Sequence, residues 1–372
     1  MSKDTNEKDQ AAAHPAPRLN AEIVGQGAAE AALLEAHRSG RLPHAWLFTG
    51  PKGVGKATLA YRFARFLLAD DGANGGTASL FGDAPAPATS LRMEANHPVF
   101  HRMASGGHAD FRVLERTVNA KTGKMRSEIV IDDARDIIAF MHLTPAESNR
   151  RVVIVDSADD MNRNTANALL KVLEEPPPSA VLILVSHSPA RLLPTIRSRC
   201  RKLALSSLSV DEVREGVRKY HPDLKTEEAE AIAHLGEGSL GRALEIAERG
   251  GLELYHDLVS LLSTLPKLDF AALQEFAGTA AEDDESFDLS TSLLRGWHAR
   301  MLKGAATGVF APGLLEGEAA LMRRLAGATS LDRWFEVWDK NDRLFRRADS
   351  ANLDHRQVLL NAFLAFETAA RP

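Results

Sequence analysis

The sequence predicts a parallel α/β domain with flanking helices, followed by a small helical unit and an all-α C-terminal domain. Three observations carry this expectation. Short apolar runs of the buried-strand kind, at His44–Thr49, Arg151–Val155 and Ala180–Val185, alternate with segments of helical period. The first run leads directly into a glycine-rich turn, Gly50–Gly55, that opens another helix. From Ser209 onward no strand-like run remains. Strands alternating with helices imply crossover connections, and crossovers imply a parallel sheet. A chain of 372 residues is also too long for one compact core, so two or three domains are expected.

In chain order, residues 1–18 are polar and rich in Ala, Pro, Asp and Lys, and read as a disordered leader without the apolar core of a signal peptide. Ala21–Ser39 reads as a helix, with Ala29, Ala32 and Leu33 near helical spacing. After the strand and turn at 44–55, Lys56–Leu68 reads as a helix with Leu59, Phe63, Phe66 and Leu67 on one face. Residues 69–90 are low in complexity and read as a loop or insertion. Phe111–Arg116 and Glu128–Ile131 read as short strands around a turn at Lys121–Lys124, and Asp132–Met141 as a helix. Asn162–Leu173 is expected to be helical and is stopped by Pro176, Pro177 and Pro178. Val210–Glu248 reads as a small helical unit, and Leu252 to the end as amphipathic helices. Two of their apolar stripes are Leu331, Trp334, Phe335, Trp338 and Phe345, and Leu359, Ala362, Phe363 and Phe366. Both are expected to be bundle core.

Composition excludes several classes. No apolar run approaches the roughly 20 residues of a membrane helix. One cysteine, Cys200, rules out an internal disulfide or a cysteine zinc site, and cytoplasm is the expected compartment. The net charge of −5, from 45 basic and 50 acidic residues, lacks the basic excess of a stand-alone nucleic-acid binder.

The chemistry-bearing residues cluster in the first half. Gly50-Pro-Lys-Gly53-Val-Gly55-Lys56 fits a phosphate loop, whose backbone N–H groups cradle phosphates while the lysine reaches the outer ones. The same residues would also serve as a glycine-rich turn holding no ligand. The position that normally supplies a magnesium-binding hydroxyl is Ala57. Thr58 follows, but one helical step turns a side chain by about 100°, away from the metal. Asp156, at the end of the strand Arg151–Val155, stands where a metal-binding carboxylate is placed in such ATPases. Ser157 follows it, and a serine hydroxyl cannot accept a proton at neutral pH as a carboxylate does. Asp159 and Asp160 read as a solvated acidic turn. His97, His101 and His108 are a poor metal set.

Two longer strings carry a resemblance. Asn167-Ala-Leu-Leu-Lys171-Val-Leu-Glu174-Glu175-Pro176-Pro177 resembles a signature of the clamp-loader AAA+ ATPases of bacterial DNA polymerase III, and Leu193–Cys200 carries their S-R-C motif at Ser198-Arg199-Cys200. Val24-Gly25-Gln26 looks like the family's adenine-side box, His44–Phe48 like its first core strand, and Gly238–Leu244 like its lid motif. The likeness covers about residues 20 to 250.

With the disordered leader taken as 1–19, the resemblance implies an AAA+ nucleotide-binding-like domain at 20–205, a helical lid at 206–250 and a helical collar at 251–372. It implies Arg199 as an arginine finger reaching a neighbouring subunit's γ-phosphate. Gly50, Gly53, Gly55, Lys56, Thr58 and Asp156 form the corresponding nucleotide site. Beside Ala57 and Ser157, the family's sensor 1 position falls on His187, next to Ser186, and its sensor 2 position on Gly241, with Arg242 displaced by one. These departures imply a degenerate site in a largely non-hydrolysing stator. Residual ATP or ADP binding is left open, no cofactor is required, and the family's four-cysteine zinc knuckle is not expected. The implied partners are gamma/tau-type and delta-type subunits, with a sliding clamp and primed DNA reached through the assembly, and no membrane. An active gamma/tau-type motor ATPase is the alternative; an AAA+ chaperone or helicase loader is a third.

Overall fold

The computed structural model describes residues 14–69, 89–119, 123–351 and 353–371. Most of the expected leader, the insertion at 70–88 and part of the turn before Lys124 lie outside them. Residues 14–19 are not a free leader. The Leu19 N–H closes a turn on the Ala16 carbonyl at 2.8 Å, and buried Arg65 donates to the carbonyls of Arg18 and Asn20.

The chain divides into two compact units, Met1–Glu212 with Gly238–Gly241, and Val213–Glu237 with Arg242–Pro372. The first is built on α1 (Gly27–Arg38), β1 (Ala45–Thr49), α2 (Lys56–Ala69), α3 (Pro98–Ala104), β2 (Phe111–Leu114), α4 (Ile131–Met141), β3 (Arg151–Val155), α5 (Arg163–Glu174), β4 (Ala180–Ser186), α6 (Pro194–Arg199) and β5 (Arg201–Ala204). The five strands form one parallel sheet in the order β2-β3-β4-β1-β5. Successive side chains on a strand face opposite ways. Trp46, Phe48, Val152, Ile154 and Ile183 therefore pack with α1 and α2, while Leu47, Val153, Val155, Leu182 and Leu184 pack with α4 and α5. β3 and β4 are buried along their whole length, as strands covered by helices on both faces must be.

Three sequence expectations change. α1 begins at Gly27, because Gly25 takes φ +70, outside the helical region. Glu128–Ile131 makes only an isolated bridge, Ile129 to Met161, and the neighbouring helix α4 already starts at Ile131. β5 was not anticipated: Arg-Lys-Leu-Ala has no apolar alternation, and as the last strand in the sheet it pairs on one side only, with β1.

The remaining helices are α7 (Val210–Tyr220), α8 (Thr226–Leu235), α9 (Leu240–Glu248), α10 (Gly251–Ser263), α11 (Phe270–Ala280), α12 (Asp284–Thr307), α13 (Glu318–Ala326), α14 (Leu331–Ala351) and α15 (His355–Ala370). Leu359, Ala362, Phe363 and Phe366 are fully buried. On α14, Trp334 and Phe345 are buried, but Phe335 points out at 49% exposure and Val337 and Asn341 take its place inside. The second unit also buries Glu318, which accepts from Arg300 at 2.6 Å, from the backbone N–H groups of Leu314 and Leu315 at 2.6 and 3.1 Å, and from the Tyr255 hydroxyl.

Candidate functional site

In a parallel sheet the strand C-termini line one rim, where α/β folds hold ligands. Here β1 delivers Gly50–Gly55 to that rim, β3 delivers Asp156 and β4 delivers His187. The loop is fixed from beneath. Gly50 has φ +145, and a Cβ on it would lie 2.4 Å from the Leu205 carbonyl oxygen, so the step from strand to loop requires glycine. Buried Gln26 donates its amide to the carbonyls of Val54 at 3.2 Å and Ser206 at 2.9 Å, joining the Val24-Gly25-Gln26 segment to the loop.

Lys56 opens α2 and is only 3% exposed. Its ammonium donates to the Gly50 carbonyl at 2.7 Å and to that of Pro51. Burial lowers its pKa to about 8, against the opposing pull of Asp159 and Asp156. Burial raises the pKa of Asp156; the Ser157 backbone N–H and Lys56 oppose the rise. Ala57 and Thr58 follow Lys56 on the first turn of α2, both half-buried.

Ser157 holds a left-handed conformation, φ 56 and ψ 58, uncommon for a residue with a side chain. Its Oγ lies 3.3 Å from Nε2 of His187. Burial, reinforced by Lys56, lowers the pKa of His187. Asp159 is not a solvated turn residue: it is 8% exposed and accepts from Ser186 Oγ at 2.7 Å, from the His187 N–H at 2.5 Å and from the Ser188 N–H at 3.2 Å. It ties the end of β3 to the end of β4, leaving little of its acceptor capacity for a water. Nothing in periodicity could have shown this, since the bonded groups are 27 to 29 positions apart.

Gly241 comes to the same rim. Its N–H donates to the Gly53 carbonyl at 2.9 Å, and a Cβ on it would lie 2.9 Å from Gly53 Cα. Any side chain there would have to displace the loop backbone. Arg242 instead donates to Glu237 at 2.7 Å and to the Ser292 carbonyl at 3.3 Å.

The site fits a phosphate better than a metal–phosphate pair. Glycine backbone, a buried lysine and a helix N-terminus suit an anion. The magnesium side is poorer, with Ala57 lacking a hydroxyl and Ser157 bonded to His187. Among the described residues no three His, Cys, Asp or Glu side chains gather as a metal site. His97 caps α3 through Nδ1, and His108 is buried with Nδ1 on the Asp110 N–H.

Arg199 lies elsewhere. It ends α6 immediately before β5, and Arg201, the first residue of β5, pairs with Trp46 near the start of β1. Arg199 therefore stands at the rim opposite the loop, about one strand length of ~15 Å away. Its side chain is 36% exposed, 2.8 Å from Glu174. Neighbouring Cys200 is buried, and burial pushes its thiol up to about 12.

Comparison with known proteins follows this division. Residues 25–209 match the family described as "DNA polymerase III, delta subunit". The delta' subunit of DNA polymerase III from Pseudomonas aeruginosa is 35% identical over 229 residues, 62% of this chain and 63% of that protein. The tau subunit of Escherichia coli is 26% identical over 318 residues, 83% of this chain and 44% of its own. The gamma/tau subunit of Mycobacterium bovis is 36% identical over 183 residues, 49% of this chain and 28% of its own. The chain thus spans less than two thirds of the length of each of these relatives. A solved structure, the gamma-subunit-related protein of Thermotoga maritima, overlaps 91% of this chain and 99% of its own at 20% identity and a TM-score of 0.38. So loose an overlay leaves the fold resting on the strand order above. Residues 25–209, which hold the sheet, the glycine loop, the Asn167–Pro177 string and the S-R-C motif, are thus the part of this chain that is similar to the DNA polymerase III delta subunit family.

Proposed function

We propose that the chain is a delta-prime-type clamp-loader subunit, a stator that hydrolyses little or no ATP itself and donates Arg199 to a neighbouring motor ATPase during sliding-clamp loading. The placement of Arg199 carries the reading. An exposed arginine at the rim opposite its own phosphate loop cannot serve that loop, but it can reach a site on a neighbour. Guanidinium suits the task because it stays charged and forks onto phosphate oxygens. In this reading the three-part division at 205 and 250 corresponds to an AAA+ domain, a lid and a collar. The partners are gamma/tau-type and delta-type subunits in the cytoplasm, with clamp and primed DNA met through the assembly. ATP or ADP held without turnover is compatible with Lys56 and the loop amides.

A motor-type gamma/tau ATPase is the second reading, favoured by intact Lys56 and Asp156 and by the match to gamma/tau relatives. The purified chain separates the two: the stator reading expects no ATPase above background, and steady turnover of about 1 s⁻¹ or more would favour the motor. In a reconstituted loader, Arg199→Ala is expected to cut DNA-stimulated ATPase by at least about tenfold, since arginine fingers contribute about 10³–10⁵ in other NTPases. Full activity of that variant would remove the finger assignment.

A further inference from the structure

Glu174 is the last residue of α5. A carboxylate there faces the negative end of the helix macrodipole, so helix stability does not account for it. Its oxygen instead lies 2.8 Å from Nη2 of Arg199 on the neighbouring helix α6. A second tether, from Nη1 to the Thr195 carbonyl at 3.1 Å, comes from within α6. A guanidinium carries five N–H groups. One, on Nη1, is hydrogen-bonded here and Nη2 is paired in charge with Glu174, and the remaining edge has no partner among the described residues. The backbone beneath is held as well, because Ile196 and Cys200 on either side are buried in the core between the sheet, α4 and α5.

We propose that Glu174 is a positioning residue for Arg199: it turns the guanidinium so that its unused N–H edge is presented to a phosphate bound by a neighbouring subunit. This rests on Arg199 acting as a finger in trans. Two tethers at fixed points restrict a long side chain that would otherwise lose its rotamer freedom on meeting the phosphate. An ion pair this exposed adds little to folding stability. Its loss belongs in the rate, and the melting temperature should hardly move.

The test is steady-state ATPase of a loader reconstituted from this chain, gamma/tau-type and delta-type subunits, sliding clamp and primed DNA. Glu174→Gln, Arg199→Ala and the double variant are compared. Glu174→Gln keeps the shape of the side chain and is expected to lower kcat about tenfold, within the up-to-100-fold cost of misplacing a group by about 1 Å. KM for ATP and the thermal midpoint should stay at wild-type values. The double variant should be no slower than Arg199→Ala alone. Wild-type or faster turnover by Glu174→Gln, with Arg199→Ala impaired, overturns the positioning role and leaves the finger standing. A further loss in the double variant overturns it too, since Glu174 would then act other than through Arg199. Wild-type turnover by Arg199→Ala removes the finger and this role with it.

Discussion

Asp110 has no exposed surface, yet it is held as a carboxylate. Burial alone would raise its pKa, but the backbone N–H groups of Ala146, Glu147 and Ser148 at 2.7–2.8 Å, with the Ser148 hydroxyl, hold it below the ordinary value. Those donors all belong to the turn that feeds β3, and Arg151 stands 3.6 Å away. Asp110→Asn, which turns one acceptor oxygen into a donor against these N–H groups, is expected to cost about 2–3 kcal/mol in denaturant titration at pH 7. Because the folded-state pKa is depressed, the stabilisation is full above about pH 4 and fades as pH falls through the folded-state value. The variant and the parent should therefore converge in strong acid. The roles of single residues were unevenly legible. The placement of the glycine loop between β1 and α2, and of Asp156 at the end of β3, was readable because these elements are contiguous in sequence. Asp159 and the Glu174–Arg199 pair were not, because they depend on which strand ends and helices the fold brings side by side.

The decisive contact between elements at the candidate site joins the start of α9 to the glycine loop at Gly53. Gly241 is the second residue of α9, where glycine costs at most the ~1 kcal/mol against alanine of a helix interior. Gly241→Ala would recover that amount but place a Cβ 2.9 Å from the Gly53 backbone, which cannot swing aside as a flexible side chain could. Overpacking costs about 1–3 kcal/mol, so the clash should win by about 1 kcal/mol. The measurable sign is faster amide hydrogen exchange at Gly53 and Val54, where the N–H of Gly241 no longer anchors the loop. Unchanged exchange would mean that the helix end adjusts instead. At this scale long apolar strands and strongly periodic helices were legible, and edges were not. β5 escaped notice because two charged residues open a four-residue strand that pairs on one side. Phe335 was misplaced because several registers of the α14 stripe are equally apolar on paper. Packing selects the one that buries Trp334, Val337 and Phe345.

The two units of the molecule should respond differently to acid, and His298 is the reason. It sits on α12 at 2% exposure, with its ring 4.7 Å from that of Phe366, 5.5 Å from that of Trp338 and 5.9 Å from that of Trp334. Burial lowers its pKa to about 3, and a hydrogen bond to the Trp334 backbone opposes the shift only partly. The unfolded chain, with an ordinary value near 6.5, binds the proton first, so stability of this unit falls as pH drops from about 6.5 toward 3. At about 1.4 kcal/mol per pH unit, some 3 kcal/mol is gone by pH 4. The first unit keeps its Asp110 anchor charged over the same range. Melting followed by calorimetry should therefore resolve into two transitions as pH falls from 7 to 4.5, since a chain of two units need not unfold in one step. The transition of the unit containing α12 should move down further than the other, where the lowered value of His187 gives a smaller loss of the same sign. His298→Leu removes the titrating group, and its transition should start lower at pH 7 but lose most of its pH dependence. A single transition that shifts equally in parent and variant would show that neither the division into units nor the buried imidazole governs the acid response.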